Sequence, residues 1–255
     1  MNPAVPMLLP WRERGLAAGF LGRLGGVSEG AFASMNMSDQ LGDDPRHVAE
    51  NWRRLGATLA PGVIFAQSIQ VHGSDVRVVT RAGASQRPRA DGMVTREAGI
   101  ILGIMTADCV PVLLAAPEYR MSGALHAGWR GVIGGIASAG ICALNSLGAP
   151  PELIRVALGP SIGPCCFEVD RALADRFAAE IPGAERHRRQ GRPGKAYLDL
   201  RAIVRDQLIA AGVAADAIES AGPCTRCAAD RYFSRRAAGG VVTGLQLSFA
   251  GFGRD

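Results

Sequence analysis

One cysteine and two histidines carry the chemistry that this sequence offers. Residues 106–131, TADCVPVLLAAPEYRMSGALHAGWRG, set an acid beside a thiol, Asp108 and Cys109, at the end of an apolar run. A turn at 117–120 follows, and a second apolar run ends in His126. If the runs on either side of that turn pair as a hairpin, Cys109 and His126 lie at the same end of adjacent strands. His72, in QVHGSDV, stands upstream in a similar strand-then-glycine setting. Two imidazoles and a thiolate are a three-ligand set of the kind zinc uses where it keeps a fourth position open. Zinc held in this way lowers the pKa of water toward about 7, which brings hydrolysis or deamination within reach at neutral pH. Asp108, next to the thiolate, is placed to orient a ligand or to move a proton.

Three other readings of the same residues stay open. Cys109 and His126 also suit a nucleophile and base in a hydrolase without metal. His₂Cys with a distant methionine, here Met105, is the ligand set of blue copper, although no His or Met follows Cys109 closely. The third is a binding module with a structural metal, its four-ligand site completed by Cys165, Cys166 or Cys224. The segment PCTRC at 223–227 matches the second half of the nucleobase-deaminase signature, H-x-E followed by P-C-x-x-C. None of the four histidines is followed two residues later by glutamate, so a structural loop or a redox pair remains for it. The vicinal Cys165–Cys166, in GPSIGPCCFEV, reads as packing, since a reactive thiol needs an electropositive, partly exposed site.

The elements that must position these groups follow from periodicity. Residues 63–70 and 75–80 alternate as strands, DGMVT opens another, and the apolar stretch 98–117 reads as two core strands. Asp108 and Pro111 in that stretch argue against a membrane span. Pro45 opens a helix capped by Asp44, with Val48, Trp52 and Leu55 on its apolar face. Residues 129–148 read as one Ala- and Gly-rich helix, with further helices at 170–181 and 200–211. Residues 154–158 and 244–249 read as strands, and the basic segment ERHRRQGRPGK as a solvated loop. Arg23, before paired glycines in GRLGGVSEG, suits an anion.

The chain of 255 residues, 48% hydrophobic, can bury a sizeable core, and without repeats or linkers it reads as a single domain over 1–255. The net charge of +5 favours anions, almost entirely through arginine, because Lys195 is the only lysine. With 5% aromatics and no basic run interleaved with them, neither a nucleic-acid surface nor a membrane is expected. Residues 1–10 lack the positive start of a secretory signal, so a reduced, cytoplasmic setting is the default.

Taken in order, QVHGSDV, ADGMVT, TADCVPVLL, HAGWRG, LGPSIGPCCFEV, YLDLR and CTRC resemble the YfiH family. This group is also labelled multicopper polyphenol oxidases, laccase-domain proteins or peptidoglycan editing factors. The resemblance runs from about residue 20 to 249. It implies an α+β fold, with mixed β-sheets forming a sandwich-like core flanked by helices, related to the catalytic domain of cytotoxic necrotizing factor. It implies zinc on His72, Cys109 and His126, with copper the lesser alternative. It further implies phosphorolysis of adenosine, inosine, guanosine and methylthioadenosine, so that purine nucleosides and phosphate are the partners, together with deamination of adenosine. Bacterial members are also given a role as hydrolases that remove wrongly incorporated serine from a UDP-MurNAc precursor. Arg23 and Asn36 match the family pattern and are carried as substrate contacts, and Arg130 after HAGW as another anion contact. The chain departs from the pattern at Gly22, Met37–Ser38 and Trp52.

Overall fold

The computed structural model describes residues 5–254. Residues 1–4 and 255, at the ends of the expected domain, lie outside the described residues, as does part of the N-terminal stretch read for a signal.

Two large sheets pack face to face. One has five strands in the order Met7–Leu8, Leu16–Leu21, Gln246–Phe252, Ile100–Thr106, Ile64–Gln67. The other has six, in the order Ile218–Ser220, Arg155–Leu158, Val110–Ala116, Met121–Ala127, Gly92–Thr95, Val76–Val78. Both are mixed, each with parallel pairing at an edge. Between them lies a core of Phe20, Ala66, Leu102, Ile104 and Ala250 from one sheet, against Met93, Leu113, Ala115, Ala124 and Ala157 from the other. Small residues dominate on the six-stranded side, which lets the sheets approach closely. The expected sandwich-like α+β architecture is what the chain forms.

Helices cover the outer faces. Ile136–Ser146 and Leu200–Ala210 bury Ile141, Leu144, Ile203 and Val204 against the six-stranded sheet. Pro45–Gly56 places Leu55 on the other side, with Trp52 packed beside it, and the Asp44 carboxylate accepts the Arg46 N–H as its N-cap. The expected helix over 129–148 is two helices, Trp129–Ile133 and Ile136–Ser146. Gly135, at φ 78°, breaks the chain between them. The basic segment after 184 is not a plain loop either. It forms strands Arg188–Gln190 and Lys195–Leu198, which join Glu168–Asp170 in a small antiparallel sheet. Its charges are held by partners, Arg188 by Asp175, Arg192 by Glu168 and Lys195 by Asp170.

Candidate metal centre and cavity

The two core strands of the 98–117 stretch belong to opposite sheets, and residues 107–109 carry the chain across. Asp108 makes this crossing at φ 97°, a conformation that costs a non-glycine residue free energy and is held by its surroundings. Its Oδ1 accepts from the Thr225 hydroxyl at 2.6 Å, its Oδ2 from the Arg236 N–H at 2.7 Å, and its carbonyl from the Ile162 N–H. Cys109 follows, half-buried, at the start of Val110–Ala116. That strand pairs with Met121–Ala127 as the expected hairpin, with Pro111 opposite His126.

His72 reaches the same corner from the turn after Ile64–Gln67, itself at φ 61°. The turn is wound around a carboxylate: Asp91 accepts the backbone N–H groups of Val71, His72 and Gly73 at 3.1, 2.9 and 2.7 Å. The same Asp91 accepts from His126 Nδ1 at 2.7 Å, and its own carbonyl takes the His126 N–H. Asp91 is fully buried and His126 is 2% exposed, so one carboxylate sets both imidazole-bearing segments in a dry environment. With Nδ1 committed to Asp91, His126 turns Nε2 toward the thiol. The short helix Trp129–Ile133 closes against this corner because its N-cap, Gly128, and its third residue, Gly131, carry no side chain. A Cβ on Gly128 would meet His72 Cδ2 at 3.1 Å and Cys109 Sγ at 3.3 Å, and one on Gly131 would meet the Gly73 carbonyl at 2.6 Å.

The donor atoms of His72, Cys109 and His126 all lie within 4.8 Å of one another. This spread fits one ion with bonds of about 2.0 to 2.3 Å to nitrogen and sulfur. The Asp91 contact is the carboxylate support that metal-bound histidines usually have. Electrostatics suit the same purpose. Burial alone would raise the Cys109 pKa, but the facing imidazoles of His126 and His72 outweigh it and bring it down to about 6. Burial would likewise depress His126, but the thiolate and the Asp91 carboxylate raise it to about 9. Without metal the corner therefore holds a thiolate–imidazolium pair between these two values. Chelator-stripped protein should alkylate at Cys109 with a pH midpoint near 6. The His126→Ala variant should move that midpoint up toward 9, the ordinary thiol value. An unshifted midpoint would show that His126 does not set the thiol.

A cavity of about 340 Å³ opens on this corner, lined by Ser68, Gln70, Arg87, Met105, Thr106, Arg235, Thr243 and Leu245 among others. Ser68 Oγ, Thr106 Oγ1 and Arg87 Nε are buried without a hydrogen-bond partner. Buried polar atoms are rarely left so in a native protein. The Arg235 guanidinium is exposed at the rim and forms no hydrogen bond or ion pair among the described residues.

The other sequence candidates lie elsewhere. Arg23 spends its guanidinium on the carbonyls of Ala33 and Ala229 and stacks on Phe233. Asn36 is fully buried and bonds Asp43, Ser38 and the Leu245 N–H. Arg130 is exposed and stacks on Trp129. None of the three lines the cavity. Sequence reasoning missed Asp91, whose Asp-Gly before a strand looks like an ordinary turn. It also missed Arg235, hidden in DRYFSRR. A second donor set lies apart: the sulfurs of Cys165, Cys166, Cys224 and Cys227 are also within 4.8 Å of one another, an arrangement that can bind a metal.

Two mixed sheets packed with helices, and a His-Cys-His corner at the mouth of a cavity, define the class of fold and site. The family described as multi-copper polyphenol oxidoreductase laccase matches residues 17–253, and the chain belongs to it. The chain is 40% identical over 248 residues to purine nucleoside phosphorylase YlmD of Geobacillus stearothermophilus, covering 93% of this chain and 90% of that one. With a purine nucleoside phosphorylase of Deinococcus radiodurans it shares 42% over 240 residues, again 93% and 90%. Its fold superposes on the YlmD crystal structure with a TM-score of 0.88 at 39% identity, over 94% of this chain and 93% of that one. The Bacillus licheniformis YfiH structure gives 0.91 at 30% identity, over 99% and 98%. The copper cluster in the family's description has few donors here. His47 faces Asp43 and His187 bonds Asp206, which leaves two histidines at the corner. Among the described residues, no helix is long and apolar enough to cross a membrane.

Proposed function

We propose that this protein is a zinc-dependent purine nucleoside phosphorylase that also deaminates adenosine, with His72, Cys109 and His126 holding the metal. The observation that carries the reading is the cavity: a space of nucleoside size lined both by the three-donor corner and by Ser68, Thr106 and Arg87, each with an unpartnered buried polar atom. A nucleoside brings the hydroxyls and ring nitrogens that would satisfy such atoms. The names borne by relatives at about 40% identity support the same substrate class. Zinc, when bound, supplies a Lewis acid and lowers the pKa of water toward about 7.

The chain's own residues do the rest. In phosphorolysis, phosphate attacks the anomeric carbon of the sugar, the bond from that carbon to the base nitrogen breaks, and the base leaves with the bond's electrons. Arg235, an unpaired cation at the cavity rim, holds the incoming phosphate. In deamination, water adds at C6 of adenine and ammonia departs. His126, backed by the Asp91 carboxylate, keeps a proton at Nδ1 and stays fixed in orientation. Asp108, bound to Thr225 and Arg236, holds Cys109 in place from the neighbouring residue.

Metal analysis of the purified protein, with product profiling on adenosine in the presence and absence of phosphate, tests the proposal. Adenine formed only with phosphate, and inosine formed without it, are the expected products. Neither product from zinc-loaded protein would leave hydrolysis of the UDP-MurNAc-serine bond to be assayed in its place. Arg235→Ala should raise KM for phosphate by about tenfold or more, the worth of a charge-assisted hydrogen bond, and leave deamination near normal. An unchanged KM would remove Arg235 from the phosphate site.

One observation favours a second reading. Cys109, His126 and Asp91 line up as nucleophile, base and orienting acid, the arrangement of a cysteine hydrolase without metal. Full activity after chelation would select that reading.

A further inference from the structure

We propose that Cys165, Cys166, Cys224 and Cys227 bind one structural zinc ion as four thiolates, and that this centre fastens the wall of the cavity. The inference does not depend on what the cavity turns over.

The four sulfurs come from two loops about 60 residues apart in the chain. One is the rigid 159–166 loop and the other the C-x-x-C turn at 224–227. The Cys227 sulfur lies 3.7 Å from that of Cys165 and 3.4 Å from that of Cys166. A tetrahedron with metal–sulfur bonds of about 2.3 Å has edges of about 3.8 Å, so the thiols are already near the spacing of a tetrathiolate site. These separations far exceed the roughly 2.05 Å of a disulfide, and all four cysteines are free. A spread of 4.8 Å admits one ion and is too tight for ligands that surround two or more irons.

The surroundings favour negative sulfur at Cys224, whereas burial and the neighbouring thiols push Cys165 up to about 12 in the metal-free cluster. The backbone N–H groups of Gly163, Arg226 and Cys227 converge on the Cys224 sulfur. Arg226 donates to the Cys166 sulfur at 3.5 Å. Four thiolates around Zn²⁺ carry two net negative charges, and the Arg226 guanidinium offsets part of them. Gly163 permits the approach of the loops, since a Cβ there would lie 3.2 Å from Cys224 Cβ and 3.4 Å from Cys165 Sγ. Four protein donors leave no open position, so the ion is structural.

Its position explains why such a clamp is useful. Thr225, inside the C-x-x-C turn, donates to Asp108 beside Cys109, and its N–H bonds the Ser161 carbonyl. Arg236, nine residues past Cys227, also binds Asp108 and reaches the carbonyls of Cys166 and Glu168. Between and beyond these anchors the chain supplies Arg235, Val242, Thr243 and Leu245 to the cavity wall. The ion therefore ties the start of that wall to the 159–166 loop, and both segments bond Asp108 beside Cys109.

The test uses the Cys109→Ala variant, in which the three-donor corner has lost its sulfur, so that remaining zinc reports the cysteine cluster. About one equivalent of zinc should stay bound, and adding Cys224→Ser and Cys227→Ser should release it. Cobalt(II) loaded into the Cys109→Ala protein should give the intense thiolate charge-transfer and tetrahedral ligand-field bands of four-sulfur coordination. In the unmutated protein, chelation should speed trypsin cleavage after Arg235 and Arg236 at least tenfold. Absence of zinc and of thiolate–cobalt bands from Cys109→Ala protein would overturn the site. Should the serine variants fail to fold, the cobalt spectrum decides. Equal cleavage rates with and without metal would overturn the clamp.

Discussion

Cys109→Ala is expected to lower kcat/KM for nucleoside turnover by at least about a thousandfold, or about 4 kcal/mol of transition-state stabilisation, and to empty the three-donor site. The thiol is the only sulfur in the set, and two histidines alone make a weak zinc site. The fold should survive, since the side chain is half-buried at a cavity wall and the change removes one atom; about 1 kcal/mol or less is the expected loss. The variant has a second signature. With the thiolate gone, His126 loses the main group that raises its pKa to about 9, so its pKa should fall. The Asp91 carboxylate still keeps it above the value burial alone would impose. Histidine ring shifts followed by NMR against pH in metal-free protein report this directly. Near-normal turnover in the alanine variant would end the account of the corner as the catalytic site.

The corner was legible because its members sit on short-range patterns. Two apolar runs joined by a four-residue turn can hardly avoid pairing, and the pairing brings Cys109 and His126 to one end. His72 was legible only as a histidine before glycine in a strand-like setting. What carries it to the corner, the Asp91 carboxylate, acts through backbone N–H groups 18 to 20 residues away and leaves no local mark. The same limit explains Arg23. An arginine before paired glycines suits an anion, but here its anchor is the Ala229 carbonyl, 206 residues on. Nothing in a window of residues distinguishes the two uses of a guanidinium.

The elements divide in the same way. The strands at 100–106 and 110–116 are plain in the sequence, whereas their separation into two sheets goes with the φ of Asp108, which distant contacts from Thr225, Arg236 and Ile162 hold and no propensity predicts. The helix over 129–148 was expected whole because Ala and Gly there fit helix packing. The break at Gly134–Gly135 lets the first five residues lie against the His72 turn while the longer helix follows the sheet. The basic segment after 184 looked solvated because its partners, Asp175, Glu168 and Asp170, belong to another part of the chain. The vicinal cysteines and the C-x-x-C pair, each unremarkable alone, become one cluster only through the parallel bridge between Ser161 and Cys224.

Asp91→Asn should have the next largest effect, because four donors converge on this one buried carboxylate. An asparagine keeps the shape but offers one acceptor oxygen, and its amide nitrogen turns a donor toward backbone N–H groups that cannot move away. Breaking a buried charged contact in this way costs about 3 kcal/mol or more of stability. Loosening the hydrogen bond that orients a metal-bound imidazole lowers metal affinity or activity by about 10- to 100-fold. The pH dependence gives the sign. The contacts hold the Asp91 pKa below its ordinary 3.8 even though burial opposes them. That stability is complete above 3.8 and is lost as pH falls through the lower, folded value. The stability difference between the native protein and Asp91→Asn, measured by urea unfolding, should therefore be widest near neutrality and shrink in acid. Repeating Asp91→Asn in the Cys109→Ala background separates positioning from structure: the stability loss should persist, while activity, already abolished, should fall no further. If Asp91→Asn alone binds zinc and turns over nucleoside like the native protein, Asp91 serves the fold and not the corner.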